Sequence, residues 1–274
     1  MSIVRRSVNP HFSPQRIWGL TIRYVYLLRG SWPRILEMAY WPTVQVFLWG
    51  FITQFFAQHS NYIAQAFGVL LSAVLLWDVL FRGQLGVSIS FLEEMWSRNL
   101  GHLFVAPLRP LELVAALCFM SLLRTLLGVV PATFMAWLFY HYSVYDLGLP
   151  LLAFFINLLV MGWAVGIAIS GLVLRFGLGA ESLAWLVIFA LAPISGIYYP
   201  IAVLPEWLQG VAFCLPSAHV FEGMRAVLIE GRFDADMMLR AIALNLLYLS
   251  IGCGVFLWCF RLARRHALLL QIGE

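Results

Sequence analysis

The chain has 274 residues, 62% of them hydrophobic and 11% charged, with a net charge of +4. Soluble domains of this length carry about 45–50% apolar and about 25% charged residues, so this much apolar surface excludes a single water-soluble core and points to lipid as the solvent. All 17 basic residues are Arg; a phosphate-cradling P-loop needs a Lys, which excludes such a nucleotide site here and leaves any ATP chemistry to a partner chain.

The N-terminal stretch through Arg16 is polar and basic, with no short apolar core before a small-residue cleavage site, so no removable signal peptide is expected. From Pro14 to Gly30, Ile17, Leu20, Tyr24, Leu27 and Leu28 recur at helical spacing while Arg16 and Arg23 fall on another face. That pattern predicts an amphipathic helix in the headgroup layer, and residues 1–35 form a tail plus this interfacial helix.

Residues 36–262 read as an all-α, six-span membrane domain. Met38 to Trp77 is free of Asp, Glu and Arg, and as one helix it would run about 60 Å. The polar cluster Gln58-His59-Ser60-Asn61 divides it into spans at about 36–57 and 62–81. A polar segment, 82–110, follows, with Glu93, Glu94, Arg98 and Asn99 interleaved with Met95 and Trp96. It predicts a short amphipathic helix outside the lipid, suited to a groove on a soluble partner or to a plain solvated surface. Further spans are expected at about 111–140, 149–174, 180–199 and 239–260, and residues 263–274 form a basic tail.

Segment 200–230 is too apolar for water and too broken by Pro200, Pro205 and Pro216 to span. Irregular backbone at membrane depth survives only when buried in protein or lining a wet cavity. Two short helices dipping into the outer leaflet and broken near Pro216 are therefore expected, with Tyr198, Tyr199 and Trp207 at the interface. Arg placement sets the orientation. With the N-terminus inside, the inner segments hold most of the Arg and the two short outer loops hold none. Both termini are then cytoplasmic.

Within the spans, Arg124 lies about 20 Å into the third. An Arg at such depth needs a partner or a wet cavity, either an anionic substrate group or carboxylate, or a structural pair. Asn157 suits a cross-helix hydrogen bond, and Gly162 and Gly166 a close helix contact. Cys118, Cys214, Cys253 and Cys259 form no CxxC pair, and neither a disulfide nor a metal site is expected.

Two segments carry a resemblance. The first is Ala106-Pro107-Leu108 followed by Leu111-Glu112-Leu113, after an acidic segment. The second runs Ser195-Gly196-Ile197-Tyr198-Tyr199-Pro200, then Leu204 to Gln209, Leu215-Pro216, and Glu222 to Arg225. In order and spacing they resemble the membrane subunit of type-2 ABC transporters, the permease class of bacterial exporters. Many of those permeases carry Gly-Thr-Leu-Glu where this chain has Arg98-Asn99-Leu100-Gly101. The resemblance implies a non-enzymatic permease in the bacterial cytoplasmic (inner) membrane, paired with a second copy or a relative. It implies a separate nucleotide-binding ATPase that holds ATP and Mg, with lipids as further partners, no cofactor on this chain and no nucleic acid. Glu93, Glu94, Trp96, Arg98 and Asn99 would couple to the ATPase. Gly196, Tyr198, Tyr199, Pro200, Pro205, Trp207, Pro216, Glu222 and Arg225 would form the outer gate, and Arg124 and Asn157 would border the substrate path. The cargo would be an amphipathic, lipid-linked, polysaccharide or drug-like molecule. The alternatives are a non-catalytic anchor or assembly subunit, or an intramembrane transferase. The scattered His11, His59, His102, His141, His219 and His266 and the absence of a paired-carboxylate span disfavour the transferase.

Overall fold

Proline fixes several helix starts, since its locked φ and missing N–H suit a first helical turn. In the computed structural model, which describes residues 12–57 and 61–265, helix α1 (Pro14–Arg29), α5 (Pro110–Tyr140) and α9 (Pro216–Arg225) each begin on one. The remaining helices are α2 (Trp32–Ala57), α3 (Asn61–Trp96), α4 (Leu100–Val105), α6 (Leu149–Phe176), α7 (Ser182–Ile194), α8 (Glu206–Phe213) and α10 (Ala235–Arg265). Helices are the only regular elements among the described residues. The expected tails over residues 1–11 and 266–274, and the turn at 58–60, lie outside the described residues.

Helices α3 and α6 form the centre, with α10 packed on α6 and with α2 and α5 packed on α3. Small residues bring these backbones together, as the Gly162/Gly166 spacing predicted. A Cβ on Gly162 would stand 2.8 Å from the backbone N of Gln84 and 2.8 Å from the carbonyl of Leu80. A Cβ on Gly252 would stand 2.4 Å from the carbonyl of Ala164, which ties α10 to α6 in the same way. Contacts this close replace the hydrophobic drive that lipid cannot supply between helices. Buried apolar side chains fall into two clusters. One, around Phe91 and Phe256, joins α1, α3, α5 and α10; the other, around Phe154 and Phe221, joins α3, α6 and α9. They mark two ends of the bundle, one bearing α1 and α4, the other bearing α8 and α9.

Among the described residues, four helices combine the length and apolarity needed to cross a bilayer: Gly68–Trp96, Pro110–Tyr140, Leu149–Phe176 and Ala235–Arg265. The bent pair Glu206–Phe213 and Pro216–Glu230, with a 99° turn between them, raises this to at most five. Two expected spans fall outside the set. Helix α2 is long enough, at about 39 Å, but Pro42, Gln45, Gln54 and its Trp and Tyr side chains dilute its apolarity. Helix α7 has only 13 residues, about 20 Å, because the chain breaks away at Ser195-Gly196, where Gly196 takes φ +67°.

One boundary is corrected. The helix expected to end near 81 does not stop before the polar segment 82–110, where the separate short helix is α4; α3 runs unbroken for 36 residues to Trp96. Its charges do not interrupt it because each is neutralised locally. Asp78 and Arg82 pair one turn apart at 2.5 Å, and Glu93 and Glu94 are both ion-paired. The helix stops where Arg98 enters the left-handed region at φ +55°, with Arg98 N–H on the Met95 carbonyl and Asn99 N–H on the Glu94 carbonyl, a Schellman closure.

Candidate functional site: an ion-paired groove with two distinct ends

A groove of about 720 Å³ runs between α2, α3, α5 and α7. Part of its wall is aromatic, with Trp41, Trp77, Phe81, Trp185, Phe189 and Tyr198. Trp41, Trp185 and Phe189 are exposed, so the groove is open along one side. Three acids and three bases also line it: Glu37, Asp78 and Glu93 against Arg34, Arg82 and Arg124. Arg82 holds Asp78. Glu93 is shared: Arg34 on α2 reaches Oε1 at 3.2 Å, and Arg124 on α5 reaches Oε2 at 2.9 Å. The Arg124 side chain is 9% exposed. A side chain on a helix leans towards the helix N-terminus, which is how Arg124, 14 residues past Pro110, meets a carboxylate near the end of antiparallel α3. The carboxylate expected for it is thus Glu93.

At the α1/α4 end, two further buried carboxylates anchor α1. Glu94 is 2% exposed and accepts from Arg23 at 2.7 and 3.1 Å and from Asn99 Nδ2 at 2.6 Å. Glu112 is fully buried and accepts from Arg16 Nη2 at 2.6 Å, the Ser13 N–H at 2.9 Å and the Arg109 N–H at 3.0 Å. Arg16 and Arg23 of α1 therefore face the protein, while Trp18, Tyr26 and Arg29 are exposed. Of the five residues expected to couple to an ATPase, Glu93, Glu94 and Asn99 are committed to contacts within the chain. Trp96 and Arg98 are exposed, and His102, Val105, Ala106 and Pro107 join them on one tip. Val105 is 87% exposed.

At the opposite end, Glu222 and Arg225 on α9 stitch down the loop after α7. Arg225 Nη2 donates to the carbonyls of Ile197 and Tyr199 at 3.0 Å each, and also to that of Gly196. Glu222 Oε1 accepts the Ile201 N–H at 2.7 Å and pairs with Arg225 Nη1 at 3.3 Å. Ser195 and Ser217 hydroxyls meet at 2.8 Å, and Tyr199 donates to the Pro193 carbonyl at 2.7 Å. Pro200 extends the chain into a short turn, Pro205 caps α8 and Pro216 starts α9, while Trp207 is 74% exposed. Tyr198 stacks on Trp49 of α2 with centroids 4.5 Å apart, closing this end of the groove. Asn157 lies away from the groove. It accepts from Asn245 Nδ2 at 2.8 Å and joins α6 to α10, a packing contact.

Sequence reading singled out one member of most of these pairs but not the other. Arg34, Trp49 and Asn245 carried no local signal, and nothing local pointed from Arg23 to Glu94, since these partners lie far along the chain. Asp78 with Arg82, and Glu222 with Arg225, lie one helical turn apart and were readable as pairs.

Apolar helices long enough to cross a bilayer, packed through glycine contacts around an ion-paired groove, define a multi-pass membrane protein. A search of curated proteins returns no match. A family model described as ABC-2 type transporter matches residues 23–229, more than half of the chain. The chain belongs to the ABC-2 type transporter family, as a transmembrane permease. That family is the membrane component of ABC transporters, which associates with an ATPase subunit and is generally not catalytic itself.

Proposed function

We propose that this chain is the permease of an ATP-driven exporter in the bacterial inner membrane, working as a pair of copies, each resting on its own ATPase. The observation that carries this reading is mechanical. The exposed tip from Trp96 to Pro107 sits on the end of α3, a single rigid helix whose side chains line the groove. A push on the tip is thereby delivered to the groove without a hinge. Trp96, Arg98, His102 and Val105 form the ATPase contact, while Glu93 and Glu94 hold the tip's base in place.

Six charged side chains on an open groove support pairing with a second copy, because ionised groups at membrane depth avoid hydrocarbon and face protein or water. In this arrangement α2 and α7 count as the first and fifth of six spans, thin or short alone and completed by the partner. Both termini lie in the cytoplasm, the α8–α9 pair re-enters from the outside, and the cargo is an amphipath moved between the two copies. ATP and Mg stay with the ATPase.

The test is co-expression with each ABC-type ATPase subunit of the source cell in turn, followed by capture of the permease. Val105→Asp and Trp96→Ala should abolish ATPase capture while leaving the permease folded in detergent. Undiminished capture by both variants, or no ATPase capture by the natural chain, overturns the reading.

A further inference from the structure

The groove's mouth contains one carboxylate serving two guanidiniums from different helices. Glu93 gives one oxygen to Arg34 and the other to Arg124. Arg124 is not saturated by this: its Nε is buried without a partner among the described residues. A guanidinium carries five N–H donors in a planar fork that matches carboxylate and phosphate oxygens. Arg34, about half exposed, leaves its own fork open to the groove's entrance. Beside this charged mouth the wall turns aromatic, with Trp41, Trp77, Phe81 and Trp185.

Resting on the permease reading above, we propose that Glu93 is an internal stand-in for an anionic head group. The groove takes amphipaths whose head carries a phosphate or carboxylate. That head displaces Glu93 from Arg124 and Arg34, and the apolar body lies along the aromatic wall. The head supplies the anion for the two guanidiniums, and the displaced Glu93, 21% exposed, turns its carboxylate to the water of the open groove, so no unpaired charge is buried. A cationic or neutral head gains nothing from the two arginines and leaves Glu93 in place. Release of Glu93 also frees the last turn of α3 from α2 and α5, three residues before Trp96, so an occupied groove is reported at the tip. An inorganic anion lacks the apolar body that the wall requires.

The experiment uses the full chain, without any ATPase, in phosphatidylcholine nanodiscs. Quenching of the groove tryptophans is followed during titration with dodecyl phosphate, dodecyltrimethylammonium, dodecyl maltoside and inorganic phosphate, and again in discs containing phosphatidylglycerol. Dodecyl phosphate should bind about ten-fold or more tightly than the cationic and neutral amphipaths, the margin of a charge-assisted contact. Arg34→Gln should remove most of that preference, and Arg124→Gln all of it. Glu93→Gln, which removes the internal competitor's charge, should tighten dodecyl phosphate binding about ten-fold. Competition by phosphatidylglycerol identifies a bilayer lipid as an occupant of the same site and supports the proposal. Equal affinity for the three amphipaths overturns it, as does equal affinity for inorganic phosphate. Should Arg124→Gln fail to fold, Arg34→Gln and Glu93→Gln decide alone: unchanged selectivity in both overturns the proposal. Because no ATPase is present, selective binding with failed ATPase capture sinks the permease reading only, and the converse sinks this one only.

Discussion

Arg23 grips Glu94 with both terminal nitrogens, at 2.7 and 3.1 Å, across 71 positions of sequence. This contact, together with Arg16 on Glu112, turns the basic face of α1 inward and makes the helix part of the bundle. Glu94→Ala leaves Arg23 and Asn99 without their acceptor. Removing one partner of a buried pair costs about 3–5 kcal/mol, and the partial exposure of Arg23 lowers this towards about 2 kcal/mol. Thermal unfolding in detergent should show the loss, and the apolar double variant Arg23→Met/Glu94→Leu should recover most of it. A double variant as unstable as the single one contradicts the pairing argument.

Glu222 holds the Ile201 N–H at 2.7 Å, and Arg225 holds three carbonyls of the same loop. Lys has no planar fork to replace those donors. Arg225→Lys should cost about 1–3 kcal/mol locally, the penalty of buried acceptors left unmade. Glu222→Ala should speed hydrogen exchange at the Ile201 amide at least about ten-fold, because an amide without its acceptor opens more readily. Exchange unchanged there means that the loop is held by other contacts.

Gly162 lies 2.8 Å, measured from a would-be Cβ, from the α3 backbone. Gly162→Val should force α3 and α6 apart and destabilise the bundle by about 1–3 kcal/mol, the usual cost of overpacking. Gly254→Ala on α10 meets nothing within 4 Å, so it should be neutral or stabilising by up to about 1 kcal/mol through helix propensity. Unfolding midpoints of the two variants in the same detergent compare them directly.

Arg98 closes α3 in the left-handed region at φ +55°, where an L side chain is strained by roughly 1–2 kcal/mol. Arg98→Gly should therefore raise stability by about 1 kcal/mol. If the cation serves ATPase contact, the same variant should weaken ATPase capture. A variant that is more stable and also captures normally removes Arg98 from the contact.

The resemblance to type-2 permeases placed a Gly where this chain has Arg98, and the left-handed backbone there explains why Gly suits that position. The first half of the same polar segment belongs to α3, and only Leu100–Val105 forms a helix of its own. Glu93, Glu94 and Arg98 in a row suggest solvent, and nothing local says that Arg23, Arg34 and Arg124 cover two of those three charges. The Ser195–Pro200 and Glu222–Arg225 motifs were legible as segments. That they are two sides of one hydrogen-bonded clamp was not.

Composition, the run of apolar segments and the proline positions are local properties, and by themselves they determined a helical membrane chain. Which carboxylate answers which arginine, how far α3 extends, and where a groove opens depend on side chains tens of residues apart meeting in a medium of low dielectric. There an unpaired charge is prohibitive, so pairing selects the packing. Only the tertiary structure decides that selection.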